Sequence, residues 1–116
     1  MDRVFLKFKD DLIQHVSSND KFLKFFHSKR SHVLVVLLIA CYGNKDNATF
    51  ENINSKIPNL ICSRTSIKTI LDQGVAKGLF LKKSSSRDKR KQLYKLTPEN
   101  QKKMHDWVKR LQNIFS

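Results

Sequence analysis

The stretch "KGLFLKKSSSRDKRKQLYKLTPEN", Lys77–Asn100, decides how this chain is to be read. Two short apolar-bearing segments, Leu79–Lys83 and Gln92–Leu96, enclose the run "SSSRDKRK". Residues Arg87, Lys89, Arg90, Lys91 and Lys95 put five cations into nine positions, with a single acid, Asp88, among them. Bounded this way, the segments predict two strands and a hairpin whose loop exceeds the usual two to five residues. Thr97-Pro98-Glu99 then sets a helix start, with Thr as N-cap, Pro at the first helical position and an acid in the first turn. A tail gains nothing from an acid two residues before an arginine. In a turn, such an Asp can accept backbone N–H bonds or hold the guanidinium in one orientation. The orienting role for Asp88 is the preferred reading.

Working back from the hairpin, Gly78 is expected as the C′ residue of a helix capped by Ser63, with Ile67, Ile70, Leu71 and Val75 inward. Thr49 is expected to cap a shorter helix with Phe50, Ile53 and Ile57 inward, stopped at Pro58-Asn59. The run Val33–Tyr42 is apolar all round and predicts a buried helix closed by Gly43 and the turn-rich "GNKDN". Ahead of it, Val4, Phe5, Phe8, Leu12, Ile13 and Val16 recur at helical spacing, and Ser18 or Asn19 can cap the segment that follows. Phe22, Phe25 and Phe26 form an aromatic face suited to the core or to a dimer seam. After Pro98, the residues Met104, Trp107, Val108, Leu111, Ile114 and Phe115 make one stripe near heptad spacing.

The expected fold class is therefore mainly α with a small β-hairpin (α+β). Three short helices, a hairpin with a charged tip and a further helix have the order of a winged helix-turn-helix. One domain is expected over residues 1–116. Residues 1–30 would be N-terminal dimerisation helices, 31–97 the winged helix-turn-helix and 98–116 a C-terminal dimerisation helix. Long amphipathic helices at both ends of so small a domain predict a homodimer, with Phe5, Phe8, Leu12, Trp107, Leu111 and Phe115 at the seam.

Charge sets the partner class. The chain has 116 residues and a net charge of +13. The half from residue 61 onward holds fourteen Lys and Arg against four acids, whereas residues 1–60 hold nine against six. Such a balance favours polyanions. Hydrophobic residues at 40% argue against disorder despite that charge. Near the start of the Ser63-capped helix, Arg64, Thr65, Ser66, Lys68 and Thr69 face away from its apolar stripe and could bond base edges and phosphates in a major groove. Arg87, Lys89, Arg90 and Lys91 could lie along phosphates, with an arginine entering the minor groove where the potential is most negative. Double-stranded DNA is the expected partner, and RNA is disfavoured because no sheet of stacking aromatics is visible.

The stretch Ser63–Met104, "SRTSIKTILDQGVAKGLFLKKSSSRDKRKQLYKLTPENQKKM", resembles the recognition helix, wing and following helix of MarR-family transcriptional regulators. The likeness rests on the Ser/Thr–Ile core of the helix, "KGLF" at its exit, "RDKR" in the wing and "LTPE" after it. Residues 33–62 follow the same pattern more loosely. The family's Asp-x-Arg wing motif falls on Asp88 and Arg90, which implies that Arg90 is the minor-groove residue and Asp88 its orienting partner. The resemblance implies a dimeric, sequence-specific transcriptional regulator, of repressor type. Gly74 stands where the family usually has Leu, and is expected to admit a neighbouring helix. Asn100 stands where it usually has Gly. The family's ligand pocket lies between its dimerisation and DNA-binding parts. With a single helix after the wing, no effector is assigned to this chain.

Two other functional classes remain open on the residues alone: an architectural DNA coater without sequence preference, and a winged-helix module whose basic face serves an acidic protein. No enzyme, cofactor or metal site is expected. His15, His27, His32 and His105 are scattered without a catalytic partner at motif spacing, and there is no phosphate-cradling Gly loop. Cys41 and Cys62 lack metal spacing, fall on apolar segments and are expected as small buried hydrophobes. The charged N-terminus and a longest apolar run of ten residues give no signal peptide and no membrane span, so a cytoplasmic setting is expected.

Overall fold

The computed structural model describes residues 1–116 as six α-helices and one β-hairpin. In chain order these are α1 (Asp2–Val16), α2 (Lys21–Phe26), α3 (Arg30–Tyr42), α4 (Phe50–Ser55), α5 (Arg64–Ala76), β1 (Phe80–Ser84), β2 (Gln92–Leu96) and α6 (Pro98–Phe115). The helix starts follow the capping residues. Thr49 accepts from the Asn52 N–H at 3.1 Å, Ser63 from Ser66 at 3.1 Å and Thr97 from Asn100 at 3.2 Å. Each bond satisfies one backbone donor that the first turn leaves free. The cap of α2 is Asp20, bonded to the Leu23 N–H at 3.0 Å, rather than Ser18 or Asn19. Helix α3 begins three residues before Val33, so its first turn is polar.

The exit of α5 is a Schellman turn. Gly78 has φ +74°, its N–H bonds the Val75 carbonyl at 3.0 Å, and Leu79 N–H bonds the Gly74 carbonyl at 2.9 Å. That turn delivers β1 antiparallel to β2, with Phe80 opposite Leu96 and Ser84 opposite Gln92. A third short segment joins them: Tyr94 N–H bonds the Ala48 carbonyl at 2.9 Å and Thr49 bridges Leu93, which ties the start of α4 to the hairpin. Helices α3, α4 and α5 pack on this small sheet as a winged helix-turn-helix. The core holds Phe22, Phe25, Phe26, Val35, Val36, Ile39, Ile53, Ile67, Leu71, Phe80, Tyr94 and Leu96. The three phenylalanines of α2 are thus core residues and not part of a seam. Two side chains lock the last helix on: buried Asn100 Nδ2 donates to the Leu79 carbonyl at 3.2 Å, and half-buried Gln101 Nε2 to the Ala40 carbonyl at 3.3 Å.

Gly74 admits a ring and not a helix. A Cβ placed there would lie 2.8 Å from Cζ of Phe80 and would overlap two further ring carbons. Phe80 is 2% exposed and packs edge-on against Phe25, with ring centroids 5.6 Å apart, so it has nowhere to go. Gly74→Ala gains about 1 kcal/mol of helix propensity. The overlap costs roughly 1–3 kcal/mol, so net destabilisation is expected in thermal or urea unfolding. A variant as stable as the parent would show that the ring can yield.

Helices α1 and α6 run antiparallel against each other, with Phe8 edge-on to Phe115 at 5.2 Å and Asp11 accepting from Trp107 Nε1 at 2.8 Å and Arg110 Nε at 2.9 Å. They give the molecule extents of 49 × 30 × 26 Å and a radius of gyration of 15.1 Å. About 13 Å is expected for a compact chain of this length. The terminal stripes therefore meet within one chain, but only in part. Phe5, Leu6, Ile13, Val16, Val108 and Phe115 remain exposed. Of the six residues expected at a seam, Phe8, Leu12 and Leu111 are half-buried, and Phe5 and Phe115 lie open. Trp107 faces inward, stacked on His15 at 4.4 Å and edge-on to Phe26 at 5.6 Å.

The cysteines divide. Cys62 is buried, but Cys41 is exposed, because α3 also turns Leu37 outward and is not covered on all sides. No helix is long and apolar enough to cross a membrane.

Candidate nucleic-acid interface

The face of α5 that the core leaves free meets the base of the hairpin in one cleft of about 640 Å³. Arg64, Thr65, Lys68 and Thr69 line one wall, and Arg90, Lys91 and Gln92 line the other. Phe50 and Glu51 of α4 close one end. Two segments separated by some twenty residues of chain thus form one cationic surface, and Ser66 lies exposed beside it.

The helix side is ordered before any ligand arrives. Arg64 forms a two-point pair with Glu51, one arm at 3.1 Å, and its guanidinium carbon sits 4.6 Å from the Phe50 ring centre. That hydrogen bond raises the Arg64 pKa and lowers that of Glu51. Lys68 Nζ reaches Asp72 at 3.1 Å and the Tyr94 hydroxyl at 3.3 Å, and the Asp72 bond raises its pKa. Thr69 Oγ1 donates to the Thr65 carbonyl at 3.0 Å, and Ser63 Oγ donates to Ser66 Oγ at 2.9 Å. Arg64 and Lys68 are therefore held by chain partners, whereas Thr65 presents a hydroxyl with no side-chain bond. Sequence reading missed Glu51 and Tyr94 as the residues that hold them. Glu51 lies in the first turn of α4, thirteen positions from Arg64, a distance no local pattern reports.

The wing is a seven-residue loop, Ser85–Lys91, closed by Ser85 N–H bonding the Lys91 carbonyl at 2.9 Å. Asp88 performs both functions considered for it. Its Oδ1 accepts from the Arg90 backbone N–H at 3.0 Å and from Arg90 Nε at 3.4 Å. The backbone bond is the shorter, and an ion pair whose arginine is 94% exposed contributes at most ~1 kcal/mol. Asp88 therefore shapes the turn first and biases the guanidinium second. Arg87, Lys89 and Lys91 make no ion pair within the chain and stand in solvent.

His15 and His27, twelve residues apart in sequence, are brought together by the α1–α2 turn. Their rings hydrogen-bond through Nδ1 and Nε2, at a centroid distance of 4.6 Å. No group of three or more His, Cys, Asp and Glu is disposed to hold a metal ion.

The class this geometry defines is the winged helix. Two solved structures share it over 98% of the chain. The first is transcriptional regulator PA4135, with TM-score 0.55 and 14% identity over 71% of that protein's chain. The second is transcriptional regulator BldR from Sulfolobus solfataricus, with TM-score 0.51 and 16% identity over 79% of its chain. At these identities the likeness establishes the fold. No protein-family model matches the sequence, and no curated protein matches it significantly.

Proposed function

We propose that this chain is a homodimeric, sequence-specific double-stranded-DNA-binding transcriptional regulator of MarR type, acting as a repressor. The observation that carries the reading is the single cleft that joins the outward face of α5 to Arg90 and Lys91 of the wing. A helix flanked by a cationic hairpin fits a duplex in which α5 enters the major groove and the wing follows the adjacent minor groove. The acids in and around the cleft do not oppose this, because Glu51, Asp72 and Asp88 are each paired with a cation of the same surface. The two regulators of similar fold support the same reading.

The exposed apolar residues Phe5, Leu6, Ile13 and Val16 of α1 and Val108 and Phe115 of α6 support the dimer, since large apolar side chains left open on two terminal helices are suited to burial against a second copy. Two copies joined there would present their α5 helices to successive major grooves, roughly 34 Å apart. Binding across a promoter would exclude polymerase sterically.

Genomic footprinting tests site and symmetry together, followed by titration of the recovered duplex and a random duplex across a salt series. A regulator shows protected pseudo-palindromes and prefers its site by at least ~10³-fold. Uniform coverage with a steep salt slope and no preferred site would establish a coater. Sedimentation should give the dimer mass, and a monomer at micromolar concentration would refute the proposed seam.

A further inference from the structure

A second cationic cleft, of about 570 Å³, lies on the other flank of α5. It is lined by Lys21 and Lys24 of α2, Lys29 and His32 at the start of α3, and Gln73 and Lys77 at the end of α5. No carboxylate lines it, and none of the four lysines has an ion-pair partner in the chain, whereas nearby Lys103 pairs with Asp20 at 2.6 Å. His32 Nδ1 is buried there without a hydrogen-bond partner. Four ammonium groups around one concavity, none of them paired within the chain, give it a positive potential that favours an anion.

Position on α5 indicates which anion. At 3.6 residues per turn, Lys77 stands about 180° around the helix from Lys68, and Gln73 about 140°. Lys68 belongs to the wing cleft. A helix with its side chains is roughly 10–12 Å across and fills a major groove about 12 Å wide. It therefore has a phosphate strand on each side. The wing cleft can serve only one of them.

We infer that Lys21, Lys24, Lys29 and Lys77 form a second phosphate-binding wall, which grips the strand on the side of the major groove opposite the wing. This rests on the DNA-binding reading above and adds four contacts that the recognition-helix and wing residues do not include. Phosphate contacts carry no sequence information. The wall therefore contributes affinity and register, and leaves site preference to α5.

The test is the triple variant Lys21→Gln/Lys24→Gln/Lys29→Gln, whose positions are exposed and leave the core intact. Its binding to the footprinted duplex is compared with the parent from low to high salt. The slope of log affinity against log salt should become shallower by up to about 2.7 per protomer, from three lost contacts at roughly 0.9 each. Affinity should fall at least tenfold at moderate salt, by the same factor on specific and random duplexes. Circular dichroism should be unchanged. A slope and affinity equal to the parent's would overturn the wall while leaving the DNA reading intact. So would loss of inorganic phosphate binding with duplex binding unaltered, which would assign the cleft to a free anion. A parent chain that binds no duplex would overturn the DNA reading itself, and the wall with it.

Discussion

Arg90→Ala is expected to weaken duplex binding by one to two orders of magnitude without measurable loss of stability. The side chain is 94% exposed, pairs only with Asp88 at 3.4 Å and takes no part in the core, so removing it leaves the core untouched. Surface changes of this kind alter stability by about ±0.5 kcal/mol or less. On DNA the same arginine would sit where the minor-groove potential is most negative, and losing such a contact costs roughly 1–3 kcal/mol. Electrophoretic shift or fluorescence anisotropy reads the affinity, and a melt reads the fold. Arg90→Lys should recover only part of the loss, because it restores charge but not the planar fork. Asp88→Ala is the sharper companion. Removing an acid near phosphates should strengthen binding electrostatically, while losing the 3.0 Å turn bond to the Arg90 N–H should weaken it. Weaker binding by Asp88→Ala would mean that loop order outweighs charge. Unchanged affinity on Arg90→Ala would refute the wing assignment.

Acidification should loosen the junction of α1, α2 and α6 well before carboxylates titrate. His15 is 5% exposed, stacked on Trp107 and hydrogen-bonded to His27. Burial, with repulsion from His27 and Arg110 added to it, lowers its pKa to about 4, although Asp11 and Asp20 pull the other way. Unfolded, the imidazole titrates near 6.5. Between those two values the unfolded chain holds a proton that the folded chain does not. The stabilisation is therefore complete above about pH 6.5 and falls as pH drops toward 4, by up to about 3 kcal/mol. His27, lowered by burial, and His32, lowered by burial and Lys29, act in the same direction. The carboxyls of Asp11 and Asp20 are pushed up by burial but pulled further down by Arg110 and Trp107, and by Lys103 and Leu23. Their contribution is lost only below their ordinary range. Urea unfolding between pH 7.5 and 4.5 should show the decline, and His15→Gln should flatten it. A parent curve that is flat over that interval would count against the buried, neutral pair.

Much of the fold was legible because it is written in local chemistry. Ser63, Thr49 and Thr97-Pro98 set their helix starts through bonds spanning three residues, and Gly78 supplies the positive φ that a side chain resists. Two apolar-bearing segments bounding a polar, basic run placed the hairpin, and 3.6-residue spacing placed α5, for the same reason. The candidate interface was legible as a set of residues on two segments. It was not legible as one cleft, since joining them depends on how β2 packs across α5.

Local chemistry suffices for the order of elements, the basic wing, the Asp88–Arg90 pair and the face of α5 that stays outside the core. All of these follow from composition, spacing and caps within a few residues. The tertiary structure alone decided the contacts made across long separations. These include the Phe80 ring seated over Gly74, Asn100 holding the Leu79 carbonyl, Glu51 holding Arg64, Trp107 turned inward onto His15, and Cys41 left in solvent. It also placed Lys21 and Lys24 of α2, Lys29 at the cap of α3 and Lys77 at the end of α5 around a single cavity. The physical reason is common to all of them. Packing and long-range electrostatics act between surfaces that meet only after the chain has folded, and their partners stand at distances that no periodicity encodes.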